Sequence, residues 1–292
     1  MIRLMFVATY SPHPRSVNPT RAQDSALSLM FDDFLVPNID QTVIYYGPDH
    51  FGFDLYEFYE RYGIITENLQ ILPDHTLLTP DELPLIDFRP SIRQQLIKLI
   101  ALDKCISDIV LIQDCDIFAI KPYTWVDNNR VTLFARENIK VPHPEWHGYV
   151  KTFLDIDCSD NHCYMNEFLP IAKQDWQSLK AYIENKFQMP WLKALSYQFR
   201  KDVTNGCNLE FSEFEMLSRW LLHNNRADTI FQKVIKVPAP LTTAHGRSSE
   251  DWFNQQASMI NPNCVSNSTQ CRGTELLEVS AIIRRWISAA TN

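Results

Sequence analysis

The chain has 292 residues, 45% of them hydrophobic, and its 27 basic and 35 acidic side chains leave a formal net charge of −8. That length and apolar content suit one large α/β domain with a substantial core and exclude a disordered chain. The acidic balance disfavours nucleic acid as a partner, since phosphate tracking needs a basic surface. No window approaches the roughly 18 apolar residues of a membrane span, so no transmembrane segment is expected.

Residues 1–8 are mostly apolar but lack a basic leader and meet Thr9, Tyr10 and two prolines at once, so they read as a first strand and not as a signal peptide. Seven cysteines, at 105, 115, 158, 163, 207, 264 and 271, form an odd set with no Cys-x-x-Cys pair. A reducing, cytoplasmic location accounts for them most simply. Cys158, His162 and Cys163 lack the second matched pair that a zinc knuckle requires.

Short β-branched or aliphatic runs predict strands over 3–9, 41–46, 69–72 and 108–113. Between them, helical spacing predicts helices over 24–34, 53–62 and 91–102, the last with Ile92, Leu96, Leu99 and Ile100 on one face. This alternation builds a Rossmann-like sheet with helices on both faces over residues 1–122. From 123 to 273 the rhythm loosens into a strand-like run at 131–135, a polar loop rich in Pro, His and Trp, and helices over 176–186 and 213–223. Leu276, Leu277, Val279, Ile283 and Trp286 mark a last amphipathic helix within 274–292 that docks on the body. Without a repeat or a linker, a single domain is expected. Only seven glycines occur, and neither glycine-rich phosphate motif is present, so bound phosphates must be held by metal and side chains.

The most informative segment is 108–118, where an apolar strand runs into Asp114-Cys115-Asp116. In open α/β sheets ligands bind beyond the carboxyl ends of the strands. Two aspartates at i, i+2 in extended chain point to the same side. A pair of hard oxygen donors there suits Mn²⁺ or Mg²⁺, which would neutralise charge on a leaving diphosphate. The alternative is a solvated pair capping the next turn. Asp155-Ile156-Asp157 repeats the spacing without a buried strand and reads as surface loop.

Residues 111–118 followed by Lys121-Pro122 resemble the "Asp-x-Asp, aromatic, basic-Pro" signature of GT-A glycosyltransferases. Residues 93–99 and 211–215 are similar to a bacterial and phage-related GT-A-like group linked to surface polysaccharide synthesis. The resemblance implies a GT-A mixed sheet and transfer of a sugar from a nucleotide-diphosphate donor to a hydroxyl acceptor, a glycan or lipid-linked sugar, with modified phage DNA as a further acceptor class. It implies Asp116 as the direct metal ligand and Asp114 as a ligand or ribose contact. His245 is the best match for a late third ligand and Arg247 for a diphosphate contact; the alternative for His245 is a loop histidine without a role. Ala8, Thr9 and Tyr10 would lie beside the nucleotide base. Arg93 and Lys98 match basic positions before the metal strand, or else lie on a solvated helix face.

Ser212 reads as an N-cap with Glu215 closing a capping box, which leaves Glu213 as the acceptor-side carboxylate, a base in an inverting reaction or a group that only orients the acceptor in a retaining one. On that reading Glu215→Gln costs little. Trp146, Trp176 and Trp191 are either stacking floors for a sugar or core. Two departures stand out: Cys115 replaces a small or hydroxyl residue, and the glycine and His-x-x-Lys-Pro-Trp ending of the glycogenin-like branch is absent. The competing classes are a metal-dependent phosphatase or nucleotidyltransferase and a non-catalytic sugar-binding protein. In the phosphatase pattern Phe118 occupies the place of a threonine.

Overall fold

A computed structural model describes residues 1–7, 19–30, 39–47, 54–64, 66–115, 117–119, 126–127, 130–135, 144–158, 162–164, 168–207, 210–231, 266–268, 281 and 284. In chain order the elements are β1 (Ile2–Val7), α1 (Pro19–Met30), β2 (Gln41–Tyr46), α2 (Leu55–Arg61), β3 (Leu69–Pro73), α3 (Pro90–Lys104), β4 (Ile109–Asp114), β5 (Ile117–Ala119), β6 (Val126–Asp127), β7 (Arg130–Ala135), α4 (Pro144–Leu154), β8 (Phe168–Ala172), α5 (Lys173–Phe187), α6 (Trp191–Thr204), α7 (Glu213–His223), β9 (Ala227–Phe231) and β10 (Ser266–Ser268). Two 3-10 turns, Asp74–Leu77 and Leu83–Ile86, join β3 to α3.

The main sheet runs β3-β2-β1-β4-β8. Its first four strands are parallel, and β8 lies antiparallel to β4 at the edge. This is an α/β mixed sheet with a parallel, Rossmann-like core. A three-stranded sheet, β6-β7-β9, and a two-stranded pair, β10-β5, complete the pairing. One apolar cluster runs from β1, β2 and β4 through α3 into β7, α4, α5, α6 and α7. Among the described residues no helix is long and apolar enough to cross a membrane.

Start signals decided several boundaries. Pro19 opens α1 and Pro90 opens α3, because the missing N–H is no loss at a first turn. The helix expected over 24–34 therefore begins five residues earlier. Pro144 likewise opens α4, inside the stretch expected to be a polar loop. There Trp146, Tyr149, Val150, Phe153 and Leu154 are buried at helical spacing. Gln188, left-handed at φ 54°, and Pro190 then separate α5 from α6, a helix that the sequence reading did not single out. Of the closing helix, Ala281 and Arg284 are helical, and the Arg284 guanidinium donates to the Met30 carbonyl at the end of α1.

Candidate functional site

The order β3-β2-β1-β4 means that the chain leaves β1 toward one side of the sheet and returns on the other. The crevice between β1 and β4 is thus a topological switch point, where ligands of open α/β sheets bind. β4 ends there on Asp114, in register with Phe6 of β1. Apolar residues bury β4 up to Gln113, and the Asp114 side chain, 19% exposed, is where the strand reaches the surface.

Behind Asp114 stands Lys98 of α3, its side chain only 3% exposed. α3 packs against β1, β4, α5 and α7, so this position has no route to solvent along a helix face. The ammonium contacts Asp114 Oδ1, donates to Glu213 Oε1 at 2.5 Å and lies 4.4 Å from the centre of the Phe214 ring. Burial works against its charge, but Asp114 and Glu213 together outweigh burial and hold its pKa above that of an ordinary lysine. Glu213, 2% exposed, opens α7. Burial foremost, with Asp114 adding, lifts its carboxyl above the usual glutamate range against the opposing pull of Lys98. Three residues singled out from sequence therefore form one buried ionic triad.

Glu215 behaves differently from the capping-box expectation. Ser212 Oγ does accept from the Glu215 N–H at 3.2 Å, so the cap is present. The Glu215 side chain, fully buried, does not close the box. It accepts from Arg219 Nε at 2.7 Å and from the Tyr164 N–H at 2.9 Å, and His147 Nε2 of α4 stands 3.3 Å away. The reading of Glu215 as merely a cap is thus corrected: α7 is surrounded, and a carboxylate on its inner face must satisfy Arg219. His147 was missed because its stretch was read as loop; the spacing of Trp146, Tyr149 and Phe153 was the available signal.

Arg93 does not join the triad. It stands 3.7 Å from Asp74, just past the carboxyl end of β3. Trp146, Trp176 and Trp191 are buried, with the Trp176 and Trp191 rings edge to face at 5.1 Å, so they are core. Asp155 takes φ 57° after α4 and accepts from Tyr182 and Lys186, as a surface loop residue does. Asp116, His245, Arg247, Ala8, Thr9 and Tyr10 lie outside the described residues.

The donor set can be tested against a hard cation. Asp114 Oδ1 is engaged by Lys98, and Oδ2 makes no hydrogen bond among the described residues. One open carboxylate oxygen at a strand end fits one position of a cation that also keeps waters and substrate phosphates. Among the described residues no three His, Cys, Asp or Glu side chains cluster to hold a metal by themselves.

A family model, described as a family of unknown function (DUF6492), matches residues 52–271. The chain belongs to that family. Lys98, Asp114 and Glu213 all fall inside the DUF6492 match. No curated protein matches the chain in sequence. Among solved structures, the galactosyltransferase LgtC in complex with donor and acceptor sugar analogues aligns over 100% of this DUF6492 chain and 97% of its own, at 11% identity and a TM-score of 0.46.

Proposed function

We propose that this DUF6492 chain is a metal-dependent glycosyltransferase, moving a hexosyl or pentosyl group from a nucleotide-diphosphate sugar to a hydroxyl of a glycan or lipid-linked sugar. The observation that carries the reading is Asp114, half-open at the switch point of the sheet and braced from behind by Lys98 and Glu213. Mn²⁺ or Mg²⁺ held by Asp114, Asp116 and His245 would offset the charge of the leaving diphosphate. Lys98 fixes one oxygen of Asp114 and so turns the other outward. Glu213 fixes Lys98. Its burial supports this positioning role rather than that of the base expected from sequence, because a base must reach the acceptor hydroxyl. In the same reading Arg247 holds the diphosphate, residues 8–10 flank the base, and Arg93 borders the donor side of the sheet edge.

The test is nucleoside diphosphate release over a panel of donors with Mn²⁺. Wild type should release it with at least one donor. Asp116→Asn keeps the side-chain size but withdraws charge, and turnover should fall by roughly a thousandfold while circular dichroism stays unchanged. Asp155→Asn, in the surface tripeptide, should stay within about twofold. A folded Asp116→Asn protein with more than about a tenth of wild-type turnover would reject the assignment.

A further inference from the structure

A cavity of about 640 Å³ opens where the start of α3 meets the end of α6. That volume belongs to small-molecule sites and far exceeds a single inorganic anion. Arg200 of α6 reaches it in a fixed pose. Its guanidinium lies 5.0 Å from the centre of the Phe88 ring and donates to the Pro84 carbonyl, while Phe88 is itself packed edge to face on Phe199. No carboxylate pairs with Arg200 among the described residues, whereas Arg89, which also lines the cavity, is 2.9 Å from Glu210. A guanidinium already immobilised loses little side-chain freedom on binding and offers a planar fork to an oxyanion.

The remaining lining narrows the ligand. Asp87 contributes a carboxylate that accepts from hydroxyls and repels a second negative charge. Val203, 54% exposed, gives an apolar surface for a ring face. With Arg89 paired to Glu210, the Arg200 cation, the Asp87 carboxylate and one apolar wall around this volume suit a polyol ring with a single charge. We propose that this cavity binds a sugar carrying one oxyanion, with Arg200 on the charge and Asp87 on the hydroxyls. The oxyanion is the carboxylate of a uronate or the phosphate of a sugar phosphate. The cavity and the triad share α3, which Arg89–Glu210 and Lys98–Glu213 both tie to the start of α7. The proposal nevertheless stands without the transfer reading, because binding is measured with neither donor nor metal.

The experiment is calorimetric titration of the full chain with glucuronate, glucose 1-phosphate and glucose. At least one charged sugar should bind about tenfold or more tightly than glucose, and the tighter of the two identifies the oxyanion. Arg200→Gln should weaken that binding by about tenfold or more at an unchanged thermal midpoint, and Arg200→Lys, which keeps charge without the fork, should fall between. Cys207, exposed and lining the same cavity, gives a second readout. Its alkylation by iodoacetamide, followed on the Cys207 peptide, should slow several-fold under the charged sugar in wild type and not in Arg200→Gln. Equal affinity for glucose, undiminished binding in Arg200→Gln, or neither heat nor protection with any of the three sugars overturns the proposal. None of these outcomes bears on nucleoside diphosphate release.

Discussion

Lys98 shows how much one residue can hold. A buried ammonium between two carboxylates is costly to form, yet removing it leaves the buried Glu213 facing Asp114 without a counter-charge. Lys98→Met should therefore destabilise the fold by about 3–5 kcal/mol at neutral pH, read by urea unfolding. The deficit should also depend on pH. Glu213 already titrates above the ordinary glutamate range, burial being the main cause, and losing Lys98 pushes it further up. Between the ordinary value and the raised one the folded state binds the proton and the unfolded state does not, so the variant regains stability as pH falls toward 5. A deficit that stays constant from pH 8 to pH 5 would show that Glu213 is not the group left exposed to the loss. The residue scale is also where the sequence spoke least. Lys98 was legible as a basic position before β4, but a solvated helix face explained it equally well until α3 was seen packed on several sides.

At the scale of elements, α7 separates what a local motif fixes from what it does not. Its first turn and its Ser212 cap follow from the residues alone, because a cap bond spans three positions. The partners of Glu215 come from α4 and from the segment before β8, tens of residues away. Glu215→Gln removes the charge that balances the buried Arg219, and the expected loss is about 3 kcal/mol, against about 1 kcal/mol for Ser212→Ala. Chemical denaturation of the two variants side by side gives the ranking. If Ser212→Ala costs more, the buried network contributes less than the cap and the corrected role of Glu215 fails. The helices α4 and α6 teach the complementary lesson. Their apolar spacing was present in the chain, but prolines and histidines gave α4 the composition of a loop, and Pro190 masked the start of α6.

For the whole molecule, the proposed transfer function predicts that nucleotide binding depends on the cation. The chain has seven glycines and neither glycine-rich phosphate motif, and Asp114 at the switch point repels a bare diphosphate. UDP or GDP at a hundredfold excess over its Kd should add about 2.7 kcal/mol of stability, a shift of several degrees in Tm, with Mn²⁺ present. With a chelator the shift should vanish. Equal shifts under both conditions would remove the metal from the donor site. By itself the sequence determined the parallel strands, the helix α3 and the acid at the end of β4, because periodicity and strand ends are properties of neighbouring residues. Only the tertiary structure decided that β8 enters antiparallel beside β4 and that Lys98 meets Glu213 across 115 positions. No local rule selects such a pairing: it exists because packing α3 and α7 together excludes water, and a buried charge then has to find its partner wherever the chain brings one.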